Sequence, residues 1–176
     1  MDVSVGLRAL SQADAALTAQ WRNDPAVRSY YAAFPFYVNE EKETAWFQKA
    51  LMQDFPSVYF GIELLPSGQL IGMSSLRDMS FVHRHAGFGI MIGEPAMRGK
   101  GYGKAATLLT LEFAFGQLNL HRLYLRVQER HQRAIQLYRS CGFVQEGLLR
   151  ESVYKDGAYR DEVLMGLLKR DFVRPA

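Results

Sequence analysis

Arg98-Gly99-Lys100-Gly101-Tyr102-Gly103-Lys104-Ala105 is the stretch on which the reading of this chain turns. It follows the apolar run Phe88-Gly89-Ile90-Met91-Ile92 and precedes an amphipathic run from Ala105 to Phe115. That order predicts a strand, a glycine-rich turn and a helix. Such a turn leaves backbone N–H groups free at a helix N-terminus, where the helix dipole favours an anion. Glycines remove the side chains that would keep a phosphate away from those groups. Arg98, Lys100 and Lys104 add positive charge, so the local chemistry is pyrophosphate binding.

Two common phosphate motifs fail on spacing. A P-loop would need Gly at Arg98 and a metal-binding hydroxyl at Ala105, and the dinucleotide pattern G-x-G-x-x-G meets G-x-G-x-G instead. Arg/Gln-x-x-Gly-x-Gly/Ala fits, through Arg98, Gly101 and Gly103. Downstream come the strand-like His121–Val127, a helical run from His131 through Ala134, Leu137 and Tyr138 to Cys141, and Gly142-Phe143. Gly142 is a helix stop. Glu146–Glu151, the turn Lys155-Asp156-Gly157-Ala158-Tyr159 and Glu162–Met165 read as a hairpin.

This succession resembles the Gcn5-related N-acetyltransferases, the GNAT superfamily, and within it the branch of spermidine and ribosomal-protein N-terminal acetyltransferases. The resemblance runs from about Gly87 to Phe172 and more loosely upstream through Trp21-Arg22-Asn23-Asp24-Pro25. It implies one domain over residues 1–176, of mixed α/β class. The expected core is a splayed, mostly antiparallel mixed sheet of about seven strands with helices on both faces. It implies acetyl-CoA as cofactor, held by Ile92, Gly93, Arg98, Gly99, Lys100, Gly101, Tyr102, Gly103, Lys104, His131 and Arg133. His131 departs from the family pattern, which has Asn there. The acceptor implied is a small-molecule amine or a peptide N-terminus, and homodimers are common among relatives.

Acetyl transfer to an amine sets three chemical demands: a neutral amine, a stabilised carbonyl oxygen and a protonated thiolate leaving group. Tyr138 is the expected proton donor, since a phenol with a pKa of about 10 holds its proton at pH 7. The oxyanion donor is expected to be a backbone N–H of Ile92, Gly93 or Glu94. Glu94, at the strand end, is the named carboxylate for the general base; Glu63, Asp78 and Glu112 are further carboxylates. Cys141 is read as packing, and His83 with His85 as a polar loop, so no metal is expected. Trp21, Arg22, Tyr30, Tyr31, Phe34, Phe36, Tyr37, Tyr154 and Tyr159 are candidates for the acceptor pocket, while Glu40, Glu41 and Glu43 suit a helix start.

Composition narrows the class. The chain has 176 residues, 48% hydrophobic, enough for a sizeable core. No apolar run is long enough to cross a membrane. A net charge of +3 with interspersed acids does not indicate nucleic-acid binding. One cysteine excludes an internal disulfide, and Met1–Val5 lacks a secretory signal, so a cytoplasmic location is expected. Two other readings remain open at this level: a nucleotide-binding kinase or NTPase, and a module that binds CoA without turnover.

Overall fold

The structure is a computed structural model that describes residues 4–30, 36–51 and 56–173. In chain order it contains β1 (Val5–Ala9), α1 (Ala15–Asn23), α2 (Pro25–Arg28), α3 (Glu40–Leu51), β2 (Val58–Leu64), β3 (Leu70–Ser80) and β4 (His85–Ile92). There follow α4 (Tyr102–Glu112), β5 (Arg122–Gln128), α5 (Gln132–Ser140), β6 (Val144–Lys155) and β7 (Ala158–Leu168). The seven strands form one sheet in the order β1-β2-β3-β4-β5-β7-β6. This is the expected mixed α/β architecture. No helix of the described residues is long and apolar enough to cross a membrane.

Local chemistry explains the element ends. Ser11 caps a short 3-10 turn, Gln12–Asp14, in a capping box with Asp14, and α1 begins after it. Pro25 opens α2 and Asn39 accepts from the Lys42 N–H at 3.0 Å to start α3. Asp156 and Gly157 both take positive φ, 52° and 76°, as a tight β6–β7 hairpin requires. Gly142, at φ 96°, ends α5, and the Phe143 N–H returns to the Tyr138 carbonyl at 3.0 Å.

Side-chain alternation assigns the two faces of the sheet. On one face, α4 and α5 cover Leu76, Phe88, Leu123, Leu125, Val127, Val163, Met165 and Leu167. On the other, α1 and α3 bring Trp21 and Phe47 onto Leu70, Met73 and, at its edge, Met91. The buried stripe of α4 is Ala106, Thr107, Thr110 and Leu111, while Ala105, Leu108, Leu109 and Glu112 on the neighbouring face are partly buried. Thr110 shares a 2.9 Å hydrogen bond with Ser74 of β3, which fixes the rotation of α4. Glu43 is more than a dipole-favoured residue of a helix start. It is 1% exposed, pairs with Arg22 Nε at 2.9 Å and accepts from Thr18 at 2.9 Å, tying α3 to α1.

One pairing shapes the site. β4 and β5 run parallel, and they pair only at His85↔Arg122, Ala86↔Leu123 and Gly87↔Tyr124. Beyond Gly87 the two strands diverge, while β4 stays paired to β3 up to Ile92. The sheet is therefore split from Phe88 onward, and the split opens on both faces.

Candidate active site

A cleft of about 1170 Å³ fills this split. Its α4/α5 side is lined by Phe88, Ile90, Ile92, Lys104, Leu137 and Tyr138. Its α1/α3 side is lined by Val27, Tyr30, Arg77, Gly87, Gly89 and Glu162, among others. A ligand entering from either face reaches the same gap.

At the mouth on the α4/α5 side stands the glycine-rich turn. Gly99 and Gly101 have φ of 83° and 90°, a region that L side chains strain to occupy, and Gly101 caps α4. Arg98 N–H bonds back to Pro95, and Lys104 and Ala105 N–H both bond to the Gly101 carbonyl. Among the described residues, the five N–H groups between them, from Gly99 to Gly103, have no backbone partner. Five consecutive free donors at a helix start form an anion cradle. Arg133 leans onto it: a Cβ on Gly99 would fall 2.1 Å from its Nη2. Gly103 lets α4 close on α5, since a Cβ there would lie 3.1 Å from Leu137 Cδ1. Lys104 lines the cleft, whereas the side chains of Lys100 and Tyr102 do not.

Arg98 is occupied elsewhere. Its Nε donates to the Ile92 carbonyl at 3.0 Å, and its Nη2 donates to the Gly93 carbonyl and to Asp24 Oδ2, the latter at 2.6 Å. The guanidinium thus clamps the strand end to α2 and holds the turn in place. The Arg98 contact holds the Asp24 carboxyl below its usual range.

Of the three backbone N–H groups considered for the carbonyl oxygen, two are already bonded. Gly93 and Glu94 N–H both donate to Ile71, at 2.9 and 3.1 Å. Gly93 also packs flat on Trp21, where a Cβ would fall 1.9 Å from the ring. Ile92 faces Gly72 across a non-hydrogen-bonded pair, which turns its own N–H away from β3 and into the split. The same alternation turns the Ile90 N–H that way, a position the sequence reading did not name.

Tyr138 lies on the face of α5 that meets Phe88 and Phe143. It is 9% exposed, and it lines the cleft. Burial, with a contribution from Cys141, pushes its phenol up to about 12 against an opposing pull from Arg77. It therefore keeps its proton at neutral pH. Cys141 is 5% exposed and burial pushes its thiol up, which suits packing and not nucleophilic attack.

His131 does not cap α5 with its side chain. Its ring stacks on Tyr30, with centroids 3.8 Å apart, and roofs the cleft between α2 and α5. Burial, then Arg133 and Arg130, lower its pKa and so favour the neutral imidazole. Tyr30 is further fixed because the Ser29 carbonyl accepts from Arg130 at 2.7 Å and Gln128 at 3.2 Å.

Glu94 stands apart. Its carboxylate accepts from the Ala96 N–H at 3.4 Å, capping the Pro95–Met97 turn, and it does not line the cleft. The carboxylates that do line it are Asp78 and Glu162. Glu162 is 6% exposed and accepts from Ser152 at 2.9 Å; its strand partner is Gln128, on the same face. Asp78 sits at φ 51° where the β3–β4 register shifts. Strand alternation alone would have placed Arg77 and Glu162 toward this gap had the split been known.

The other expected pocket residues disperse. Trp21 and Arg22 are buried under the sheet, while Tyr154 and Tyr159 pair with each other on the exposed hairpin. Phe36 and Tyr37 are exposed, and Tyr31 and Phe34 lie outside the described residues. His83 and His85 stack at 5.9 Å, and no group of metal-binding residues occurs among the described ones.

Comparison with known proteins bears on this geometry. The acetyltransferase (GNAT) domain family matches residues 4–144. A spermidine N(1)-acetyltransferase of Vibrio cholerae is 31% identical over 98% of both chains, and one of Escherichia coli K12 is 31% identical over 97% of this chain and 89% of its own. The solved structure of the Vibrio cholerae spermidine N-acetyltransferase with CoA and spermine superposes with a TM-score of 0.88, covering 95% of this chain and 96% of that one. A family match over most of the chain, together with relatives 31% identical over nearly its whole length, decides between the readings left open above: the chain belongs to the GNAT superfamily and is an acetyl-CoA-dependent N-acetyltransferase.

Proposed function

We propose that the protein acetylates a small primary amine by direct transfer, the amine entering from the α1/α3 side and the thioester from the α4/α5 side. The observation that carries this reading is the row of free N–H groups from Gly99 to Gly103 at the mouth of a cleft that passes through the sheet. Those amides and Arg133 hold the pyrophosphate; bound acetyl-CoA supplies the activated acetyl group. Ile92 N–H donates to the carbonyl oxygen as negative charge grows on it. The amine nitrogen forms the new bond to the acyl carbon as the carbon–sulfur bond breaks. The Tyr138 hydroxyl gives its proton to the departing sulfur, and Asp78 and Glu162 are the cleft carboxylates able to take the proton lost by the amine. Small-amine acceptance is supported by the spermidine N-acetyltransferases among the relatives. A cytoplasmic site of action fits the single unpaired Cys141.

Thermal shift tests the donor assignment. Acetyl-CoA and CoA at about 100 times Kd should each stabilise the fold by about 2.7 kcal/mol, and ATP with magnesium should not. Stabilisation by ATP-magnesium alone would overturn the reading.

A further inference from the structure

Among the described residues, the acceptor side of the cleft holds a cation, Arg77, that has no ion-pair partner. Arg77 pairs with Gly87 across the β3–β4 ladder, on the α1/α3 face. Its guanidinium lies against Gly89, with Nη2 3.4 Å from where a Cβ would stand. Gly89 thus gives this long side chain room to lie along β4 toward the gap. Its Nε is buried and makes no hydrogen bond, and Arg77 makes no ion pair among the described residues. A buried donor on a charged group is costly to leave unmet, so the missing partner is to be sought in a ligand.

The neighbouring charges do not supply it. Arg130 is engaged with Asp156, Ser29 and Gln128. Glu162 is engaged with Ser152 and does not pair with Arg77. Asp78 is adjacent in sequence but exposed, and Arg126 is a further exposed cation lining the same side. The pyrophosphate of the donor is not the partner either, because its cradle lies on the α4/α5 side while Arg77 lies on the other. Among the described residues, the acceptor side therefore sets three guanidiniums, Arg77, Arg126 and Arg130, against two carboxylates, Asp78 and Glu162. That balance does not suit a flexible polycation, which would need acids along its length.

We propose that the acceptor is an amine that also carries an oxyanion, a carboxylate above all, and that Arg77 is the specificity-determining residue that receives it. The guanidinium is a planar fork of donors matched to a carboxylate, and binding there satisfies the orphaned Nε. Anchored at Arg77 on the acceptor side, the molecule directs its amino group into the split, toward the thioester. The inference rests on the N-acetyltransferase reading above, and it concerns only which amine is used.

Matched amines differing by one carboxylate test it: lysine against cadaverine, and ornithine against putrescine, with spermidine as the polycation and O-phosphoethanolamine as the phosphate arm. Acetylation (kcat/KM) and binding to the CoA-loaded protein are measured for wild type, Arg77→Met and Arg77→Lys. The expected result is that wild type favours lysine and ornithine over their diamines. Arg77→Met should lose about 10- to 100-fold on the carboxylate-bearing amines and little or nothing on the diamines. Arg77→Lys should recover part of that loss, which a purely structural role would not produce. A preference for O-phosphoethanolamine that depends equally on Arg77 would keep the oxyanion assignment and select phosphate. Wild-type preference for spermidine and the diamines, or equal behaviour of wild type and Arg77→Met across the panel in both turnover and binding, would overturn the proposal. Failure of the underlying reading looks different: no binding of CoA by wild type and no thiol release with any amine.

Discussion

Gly103→Glu separates binding from folding at the pyrophosphate turn. The missing Cβ of Gly103 points from α4 toward Leu137 of α5, and both residues line the cleft. A glutamate there projects its carboxylate toward the opening proposed for the pyrophosphate. With each phosphate about 5 Å away and an effective dielectric constant of about 40, each repulsion costs about 1.7 kcal/mol, or roughly 3 kcal/mol for the pair. Acetyl-CoA affinity should fall by at least about 100-fold. Stability should fall by no more than about 1 kcal/mol, because helix propensity and the dipole offset the crowding of Leu137. Glutamate is a better helix former than glycine, and an acid in the first turn suits the dipole. Gly103→Ala is the control: its methyl meets the end of the Leu137 side chain at 3.1 Å and Ile92 Cγ1 at 3.7 Å, so affinity should stay within about threefold. Titration calorimetry gives the affinity and thermal melting the stability. A folded Gly103→Glu protein with wild-type affinity would refute the placement of the pyrophosphate at these amides.

Tyr138→Phe should lower kcat by about 100-fold while leaving the Kd for acetyl-CoA unchanged; steady-state kinetics with calorimetry decide this, and wild-type kcat would remove Tyr138 from the mechanism. Because the folded phenol is pushed up to about 12 from an unfolded value of 10.0, its contribution to stability is complete below pH 10 and is lost as pH rises through 12. Chemical denaturation should show that loss in wild type and not in Tyr138→Phe, and any alkaline limb in kcat below pH 10 should persist in the variant. For the amine proton, either Asp78→Asn or Glu162→Gln should remove the acidic limb of the kcat/KM profile, and an unchanged profile in both would exclude the two cleft carboxylates.

The sequence was most informative where backbone chemistry demands a residue type. The glycines at 99, 101 and 142 occupy positive φ, and the Asp156-Gly157 turn could be read from the sequence for the same reason. The glycine-rich turn was therefore visible as a motif. Side-chain roles inside it were less so. Arg98 reads as a ligand for phosphate, yet its partners are two carbonyls and Asp24, and Asp24 is 74 positions away in the chain. Glu94 reads as a base because it ends a strand near the site, yet a local cap claims its carboxylate. His131, where the family pattern has Asn, stacks on Tyr30, a contact between residues 101 positions apart that spacing does not encode. Arg77 and Glu162 become visible only once β4 and β5 are seen to part after Gly87, because the split turns ordinary strand positions into cleft walls.

The central claim is direct acetyl transfer from CoA to an amine. Its most direct test follows free thiol and N-acetylated amine together, across amines with and without a carboxylate, with intact-mass analysis of the protein after acetyl-CoA alone. The account predicts equal amounts of thiol and acetylated amine with at least one amine, no thiol without amine, and no acetylated protein. Thiol release without any amine, with an acetyl group left on Cys141 or another residue, would contradict it.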